Sequence, residues 1–357
     1  MYERAGVAPV TDSHGFHSLL RDLKRTFSHR PGVGKPLLDF GQFANVIDLG
    51  TDVAVAIATD GIGTKAIVAQ MLEKYDTVGI DCIAMNVNDV ICVGAEPIAM
   101  TDYLAIDIAS DEVLTQLGKG LLEGAIDANI TIPGGEISQI PEIVKSVGAG
   151  TGFDLVGTCL GVVHPDRIIV GESIQPGDAV IGFASSGIHS NGLTLARRVL
   201  IDSGRFDPRE YVPELGKSVG EELLVPTLIY VKAAMELLSN LSGVRALVHI
   251  TSDGFLNLRR VLSETGFVID SLPEVPPIFG MIQELGGVDD TEMYEIFNMG
   301  IGFCVVVSQS ETDDVLQVAK RCGHTAWRLG YCEHDANKQV GLKPLNLVGD
   351  ASGFRHA

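Results

Sequence analysis

The chain predicts an α/β (α+β) protein of two domains, and three observations lead there. Its 357 residues exceed what one core usually serves. Strand-length apolar runs alternate with helix-period segments in both halves. Between the halves, near residues 164–176, Pro165, Gly171 and Pro176-Gly177-Asp178 punctuate the chain. The expected domains are therefore residues 1–168 and 169–357. Hydrophobic residues make up 46% and aromatics only 6%, so the cores must rest on Val, Ile, Leu and Ala.

In chain order, residues 1–50 read as an irregular arm with a short basic helix over 17–27. Residues 51–59 read as a strand. A helix over 76–93 presents Ile80, Ile83, Ala84, Val87 and Ile91 on one face. On its polar side Asp81 and Asn88 nearly coincide, and Asp89 lies about 80° further round. A strand over 96–105, a helix over 111–128, a loop over 131–136 and a strand over 154–163 complete the first half. The pattern then restarts with a strand over 179–184 and a helix over 191–200. Helices follow over 226–241, 254–264, 277–285 and 312–322. Strands are expected over 244–250, 302–307 and 325–330.

Net charge is −20, which repels nucleic acid and anionic membrane over most of the surface. No apolar run approaches the ~18 residues of a membrane span. The first six residues carry no hydrophobic signal core, so a cytoplasmic protein is expected. Six cysteines occur without a Cys-x-x-Cys pair and mostly within apolar runs, the pattern of buried small hydrophobes.

The densest chemistry is Ala58-Thr59-Asp60-Gly61-Ile62-Gly63-Thr64-Lys65, directly after an apolar strand. Glycines let the backbone approach a ligand closely. Asp60 suits a hard divalent cation and Lys65 suits a phosphate. A tight turn after a buried strand explains the same residues. The helix over 76–93 ends in Asn86-Val87-Asn88-Asp89. Asp81 there reads as solvated or capping. Asp89 sits among apolar residues, so a metal or cationic partner is expected. Gly134-Gly135-Glu136 offers a third carboxylate, or an ordinary turn. Asp60, Asp89 and Glu136 together would form an oxygen-rich cage suited to Mg²⁺ on polyphosphate oxygens. In the second half, Ser185-Ser186-Gly187-Ile188-His189-Ser190-Asn191-Gly192 precedes a helix. Ser190 or Asn191 is placed to cap it, and His189 to donate to a phosphate or oxyanion. His249-Ile250-Thr251-Ser252-Asp253-Gly254 repeats the strand–turn–helix layout. Phe297-Asn298-Met299-Gly300 leads into a strand, where a packing role suffices.

In this order, and with Gly94-Ala95-Glu96-Pro97 and Tyr2-Glu3-Arg4-Ala5-Gly6-Val7 added, these segments resemble the phosphoribosylformylglycinamidine cyclo-ligase (aminoimidazole ribonucleotide synthetase) family from about residue 2 to 330. The resemblance implies an N-terminal α/β domain for ATP binding and dimerisation, whose sheet joins a dimer barrel. It implies a C-terminal α/β sandwich domain and a homodimer. The implied reaction closes an imidazole ring on a phosphorylated ribonucleotide, with ATP as co-substrate and Mg²⁺ as cofactor. Carried over to this chain, Asp60, Lys65 and His189 are catalytic, and Asp60, Asp89 and Glu136 hold the metal. Gly61, Gly63, Thr64, Lys65, Lys24, Asn88 and Gly135 meet the phosphates. Ser186, His189, Asn191 and Thr251 face the substrate.

Three stretches depart from the family pattern. Residues 38–44 carry few glycines, Ile137-Ser138-Gln139-Ile140-Pro141-Glu142 follows Glu136 where the family has Thr-Ala-Glu-Met-Pro-Gly, and Ser252-Asp253-Gly254 stands where the family has three glycines. Asp253 would repel a phosphate unless a cation or a cap role absorbs its charge. Alternative readings are another phosphorylating enzyme of the same ATP-binding superfamily, or a nucleotide-binding dimer without turnover.

Overall fold

A computed structural model describes residues 13–147 and 150–357. The opening motif, residues 2–7, lies outside the described residues.

In the first half the arm contains α1 (His14–Lys24), whose N-cap Ser13 accepts from the Phe16 N–H. There follow β1 (Asn45–Asp48), β2 (Ala54–Gly61), α2 (Lys65–Leu72) and α3 (Val78–Ile91). β3 (Glu96–Ile106), α4 (Asp111–Ala128), β4 (Thr131–Gln139) and β5 (Phe153–Val163) complete it. The sheet order is β1-β2-β5-β3-β4, antiparallel except for the β3–β4 pair. Parallel neighbours need a crossover, and α4 supplies it. α3 packs on β2 and β5 and is buried along almost its whole length. α4 lies against α3, and two glycines permit the contact. A Cβ on Gly79 would sit 2.3 Å from the Leu121 nitrogen, and one on Gly120 would sit 2.3 Å from the Asp76 carbonyl oxygen.

The second half opens with β6 (Ala179–Ala184), α5 (Leu193–Arg197), β7 (Tyr211–Val212), β8 (Lys217–Ser218) and α6 (Val219–Leu223). It continues with α7 (Val231–Asn240), β9 (Val244–His249), β10 (Thr265–Ile269), α8 (Pro277–Gly286), α9 (Asp290–Ile296) and β11 (Ile301–Val307). α10 (Thr312–Arg321), β12 (Ala326–His334), β13 (Val340–Leu342), β14 (Leu347–Asp350) and β15 (Gly353–His356) close it. The large sheet runs β15-β14-β13-β10-β12-β6-β11-β9. β11 is buried at every position, as a strand covered on both faces must be. Cys82, Cys92, Cys159, Cys304 and Cys332 are buried, and burial pushes the Cys159 thiol up to about 12.

The helix expected over 111–128 is α4, and the strand over 154–163 is β5. Residues 131–136, expected as a loop, belong to strand β4. Pro133 and two glycines hide it, because such residues are tolerated on an edge strand, which β4 is. The helix expected over 191–200 shortens to α5. Its N-cap is Gly192 at φ 84, so neither Ser190 nor Asn191 caps it. The helix over 254–264 is a 3-10 turn, Gly254–Arg260. β10 and the C-terminal strands β13 to β15 escape the sequence reading. They are short; β10 pairs with strands distant in sequence, and β13 to β15 pair with one another over only three or four residues each.

Candidate active site

Asp60 sits near the end of β2, where the strand gives way to the glycine turn. Asn86 on α3 grips its backbone from both sides: the Asp60 N–H donates to Asn86 Oδ1 and Asn86 Nδ2 donates to the Asp60 carbonyl, each at 3.0 Å. Gly157 on β5 leaves room for that amide, since a Cβ there would lie 2.7 Å from Asn86 Nδ2. Among the described residues the Asp60 carboxylate accepts only the Gly61 N–H, at 2.7 Å. Burial, then the nearby charge of Asp89, pushes its pKa up to about 6. The Gly61 bond and His249 oppose that rise.

Asp89, in the last turn of α3, meets His249 at the end of β9, with Asp89 Oδ1 2.8 Å from His249 Nδ1. The ring is 1% exposed and the carboxylate 16%. The hydrogen-bond partner of Asp89 is therefore an imidazole from the other half of the chain. Asp89, held by the imidazole, and Asp60 beside it are neighbouring carboxylates that suit a cation such as Mg²⁺, which keeps waters and takes its other oxygens from phosphates. Among the described residues no group of three His, Cys, Asp or Glu side chains is arranged to hold a metal.

Two residues beyond His249, Thr251 accepts a hydrogen bond from Asn191 Nδ2. The end of β9 thus joins the carboxylate pair to the turn before α5. That turn is held from two directions. Asn298 donates to the Gly187 and Ile188 carbonyls and accepts from Ser185 Oγ. Ser186 Oγ donates to the Pro226 carbonyl. His189 adopts φ 65, an unusual conformation for a residue with a Cβ, and is 3% exposed. Its Nε2 accepts the Ser186 N–H at 3.2 Å, which places the proton of the neutral ring on Nδ1. Nδ1 is buried and has no hydrogen-bond partner among the described residues. Burial pulls the ring well below its usual range, with His249 and Lys65 adding to the effect. His189 is a neutral donor with its proton unspent.

Other expected residues stand elsewhere. Lys65, expected at the phosphates, is fully buried and donates to Asp81 Oδ1 at 2.8 Å and to the Val225 carbonyl at 2.6 Å. Asn88, also expected there, is buried and occupied: its Nδ2 donates to the Leu228 carbonyl and its Oδ1 accepts the Tyr230 N–H. Glu136 does not complete a cage within one chain. Asp60, Gly157, Asp102 and Gly135 form one register row across β2, β5, β3 and β4. Side chains alternate along a strand, so Glu136 points to the opposite face from Asp60. The two are also three strand spacings apart, about 14 Å. Gly135 faces Asp102 closely, at 2.5 Å from a built Cβ to its Oδ1. Lys24 is exposed and paired with Asp39 on the arm. Gly63 has φ 56, and Thr64 Oγ1 lies 3.0 Å from Thr194 Oγ1.

Sequence reasoning missed three contributors. Asp81, expected in solvent or as a cap, is a buried hub. His249 lay in a recognised motif but without a role. Arg260 answers the charge of Asp253: its guanidinium approaches Asp253 to 3.5 Å and lies over the Phe43 ring at 4.7 Å. The Arg260 carbonyl also accepts from Gln42. One arginine thus ties two of the departures from the family pattern, the arm near residue 42 and the turn at Asp253, to each other.

Fold and site define a class, that of AIR synthase related proteins: models of the N-terminal and C-terminal domains match residues 41–163 and 175–343. The same fold occurs in thiamine-monophosphate kinase from Stenotrophomonas maltophilia, at TM-score 0.59 and 21% identity, covering 90% of this chain and 94% of that one. It also occurs in Thermotoga maritima PurL complexed with ATP, at TM-score 0.55 and 17% identity, covering 89% of this chain and 46% of that one. Closer in sequence is the phosphoribosylformylglycinamidine cyclo-ligase of Methanothermobacter thermautotrophicus, 50% identical over 78% of this chain and 80% of the relative. The Methanococcus vannielii protein of the same name is 41% identical over 99% and 97%. The chain belongs to this family, the phosphoribosylformylglycinamidine cyclo-ligases within the AIR synthase related proteins.

Proposed function

We infer that this chain catalyses ATP-dependent ring closure of formylglycinamidine ribonucleotide to aminoimidazole ribonucleotide, with ADP and phosphate released, as in purine biosynthesis. The observation that carries the reading is the end of β9, where His249 meets Asp89 and Thr251 meets Asn191. One strand end brings a metal-type carboxylate pair and a polar, neutral-histidine turn together.

The amide oxygen of the substrate is a poor leaving group. It takes the γ-phosphoryl group of ATP, and ADP departs. The amidine nitrogen then attacks the activated carbon, its proton is lost, and inorganic phosphate leaves as the ring closes. Asp60 and Asp89 would hold Mg²⁺, which neutralises phosphate charge when bound. The backbone of Gly61, Gly63 and Thr64 lines the approach to the phosphates. His189 presents Nδ1–H to the oxygen that gathers charge, a preorganised donor that needs no proton from solvent. Ser186, Asn191 and Thr251 orient the ribonucleotide.

A homodimer fits this reading. The face of the first sheet away from α3 exposes Val53, Ile57, Ile98, Tyr103 and Leu160, an apolar surface that a second copy would cover. Glu136 pairs in register with Tyr103 and so belongs to that face. We place the domain boundary between residues 168 and 169 and the enzyme in the cytoplasm. No helix among the described residues is long and apolar enough to cross a membrane.

The test is to follow ADP and aminoimidazole together, with Mg²⁺-ATP and with or without formylglycinamidine ribonucleotide. Equal, substrate-dependent release of both products is expected. ADP release indifferent to that substrate would indicate a different phosphoryl acceptor, and no release a binding protein.

A further inference from the structure

We propose that Lys65 serves as the permanent counter-charge of Asp81, not as a phosphate ligand, and that this pair positions the His189–Asn191 turn against the Asp60–Asp89 end of the first half. Its kinetic arm rests on the cyclo-ligase reading.

The sequence Gly61-Ile62-Gly63-Thr64-Lys65 invites a phosphate assignment, yet Lys65 and Asp81 are both wholly buried. A lysine sealed from solvent reaches no ligand without breaking its pair. Asp81 Oδ1 gathers donors from both halves of the chain. Lys65 Nζ reaches it at 2.8 Å, the Thr227 N–H at 2.8 Å, Thr227 Oγ1 at 2.7 Å and Ser190 Oγ at 3.2 Å. Ser190 stands between His189 and Asn191, so the hub holds the turn at its middle. Lys65 adds a fifth tie by donating to the Val225 carbonyl. Val225, Ser190 and Thr227 belong to the second half, Lys65 and Asp81 to the first. Lys65 also follows the glycine turn directly. The pair therefore sets the distance between the phosphate side and the substrate side of the cleft.

Burial favours neutral Lys65, and the adjacent Asp81 carboxylate opposes this. A buried pair of this kind behaves distinctively: removing one partner is costly, while removing both charges is tolerated. That behaviour separates a counter-charge from a ligand.

The test is a double-mutant cycle on the full chain with Lys65→Met, Asp81→Asn and both together. It is read by urea midpoint and by Mg²⁺-ADP titration calorimetry. Each single variant should lose midpoint strongly. The double variant should recover most of it and bind Mg²⁺-ADP within threefold of wild type, because the asparagine oxygen still accepts from Thr227 and Ser190. A double variant with no recovery, or with recovered midpoint and ADP affinity weakened more than tenfold, would overturn the assignment. Neither readout needs turnover, so this arm decides even if the ring-closure reading fails.

The positioning role has its own variant. Ser190→Ala should lower kcat about tenfold with the KM for Mg²⁺-ATP unchanged and the urea midpoint near wild type. Unchanged kcat, or a rise confined to the ATP KM, would refute positioning. Wild type without substrate-dependent turnover would refute the ring-closure reading instead.

Discussion

Two aspartates on one helix, Asp81 and Asp89, have opposite fates. Asp81 Oδ1 gathers a lysine, a backbone N–H and two hydroxyls, while Oδ2 is buried with no hydrogen-bond partner among the described residues, and the counter-charge of Asp81 comes from inside the protein. Asp89 has His249 for company and Asp60 as a like-charged neighbour, and stays partly open to solvent. The contrast teaches that a carboxylate's identity says little about its role. What matters is whether the fold encloses the group with its counter-charge or leaves it partly open to solvent.

The largest expected break of this comparison is at the open cluster. Asp60→Asn should lower ADP release about 10²–10³-fold, the range for losing one preorganised electrostatic group, while circular dichroism stays native. Full activity in that variant would remove Asp60 from the site. At the closed cluster the effect should move from rate to stability. Asp81→Ala strands Lys65 and should cost about 3–5 kcal/mol in urea unfolding. Asp89→Ala leaves the buried His249 Nδ1 without its partner and should cost about 1–3 kcal/mol, less than Asp81→Ala, yet abolish most turnover. Equal stability losses at the two positions would erase the distinction.

The pH dependence sharpens it further. Asp60 is raised from 3.8 to about 6, so between those values the folded protein holds more protons than the unfolded chain. The stability this contributes is full below pH 3.8 and is lost as pH rises through about 6. Without bound ligand, Asp60→Asn should therefore melt higher than wild type at pH 8, and the gap should close toward pH 4. Mg²⁺-ADP affinity should run the other way, falling below about pH 6 as Asp60 takes a proton, which calorimetry across that range would reveal. The smallest effect is expected at Asp253→Gly. It relieves a left-handed backbone at φ 71 and removes the partly exposed pair with Arg260, so stability should shift by no more than about 1 kcal/mol.

Much of the site was legible where polar residues interrupt apolar runs. Asp60, Asp89, His189, Asn191 and Thr251 all lie at strand or helix ends or in turns, and the structure gathers them around β9. Lys65 and Asn88 misled because their residue types suit a phosphate, whereas their contacts are with Asp81, Val225, Leu228 and Tyr230 across the chain. Glu136 misled because β4 looked like a loop. Once it is a strand, alternation puts that carboxylate on the far face. Asp81 resembled any solvated helix carboxylate, since nothing near it in sequence announces Thr227 or Ser190.

The amino-acid sequence by itself determined the two α/β halves, most of their helices and most of the longer strands, the family, and the motifs that supply the chemistry. The elements follow from local periodicity and turn residues, which act over a few positions, and the family from the resemblance that the motifs carry in their order. Only the tertiary structure decided which charges are compensated and which await a ligand. Burial and pairing join residues far apart in the chain, such as Asp81 with Thr227 and Asp89 with His249. The cost of an unpaired charge is set by that final surrounding and not by its neighbours in sequence.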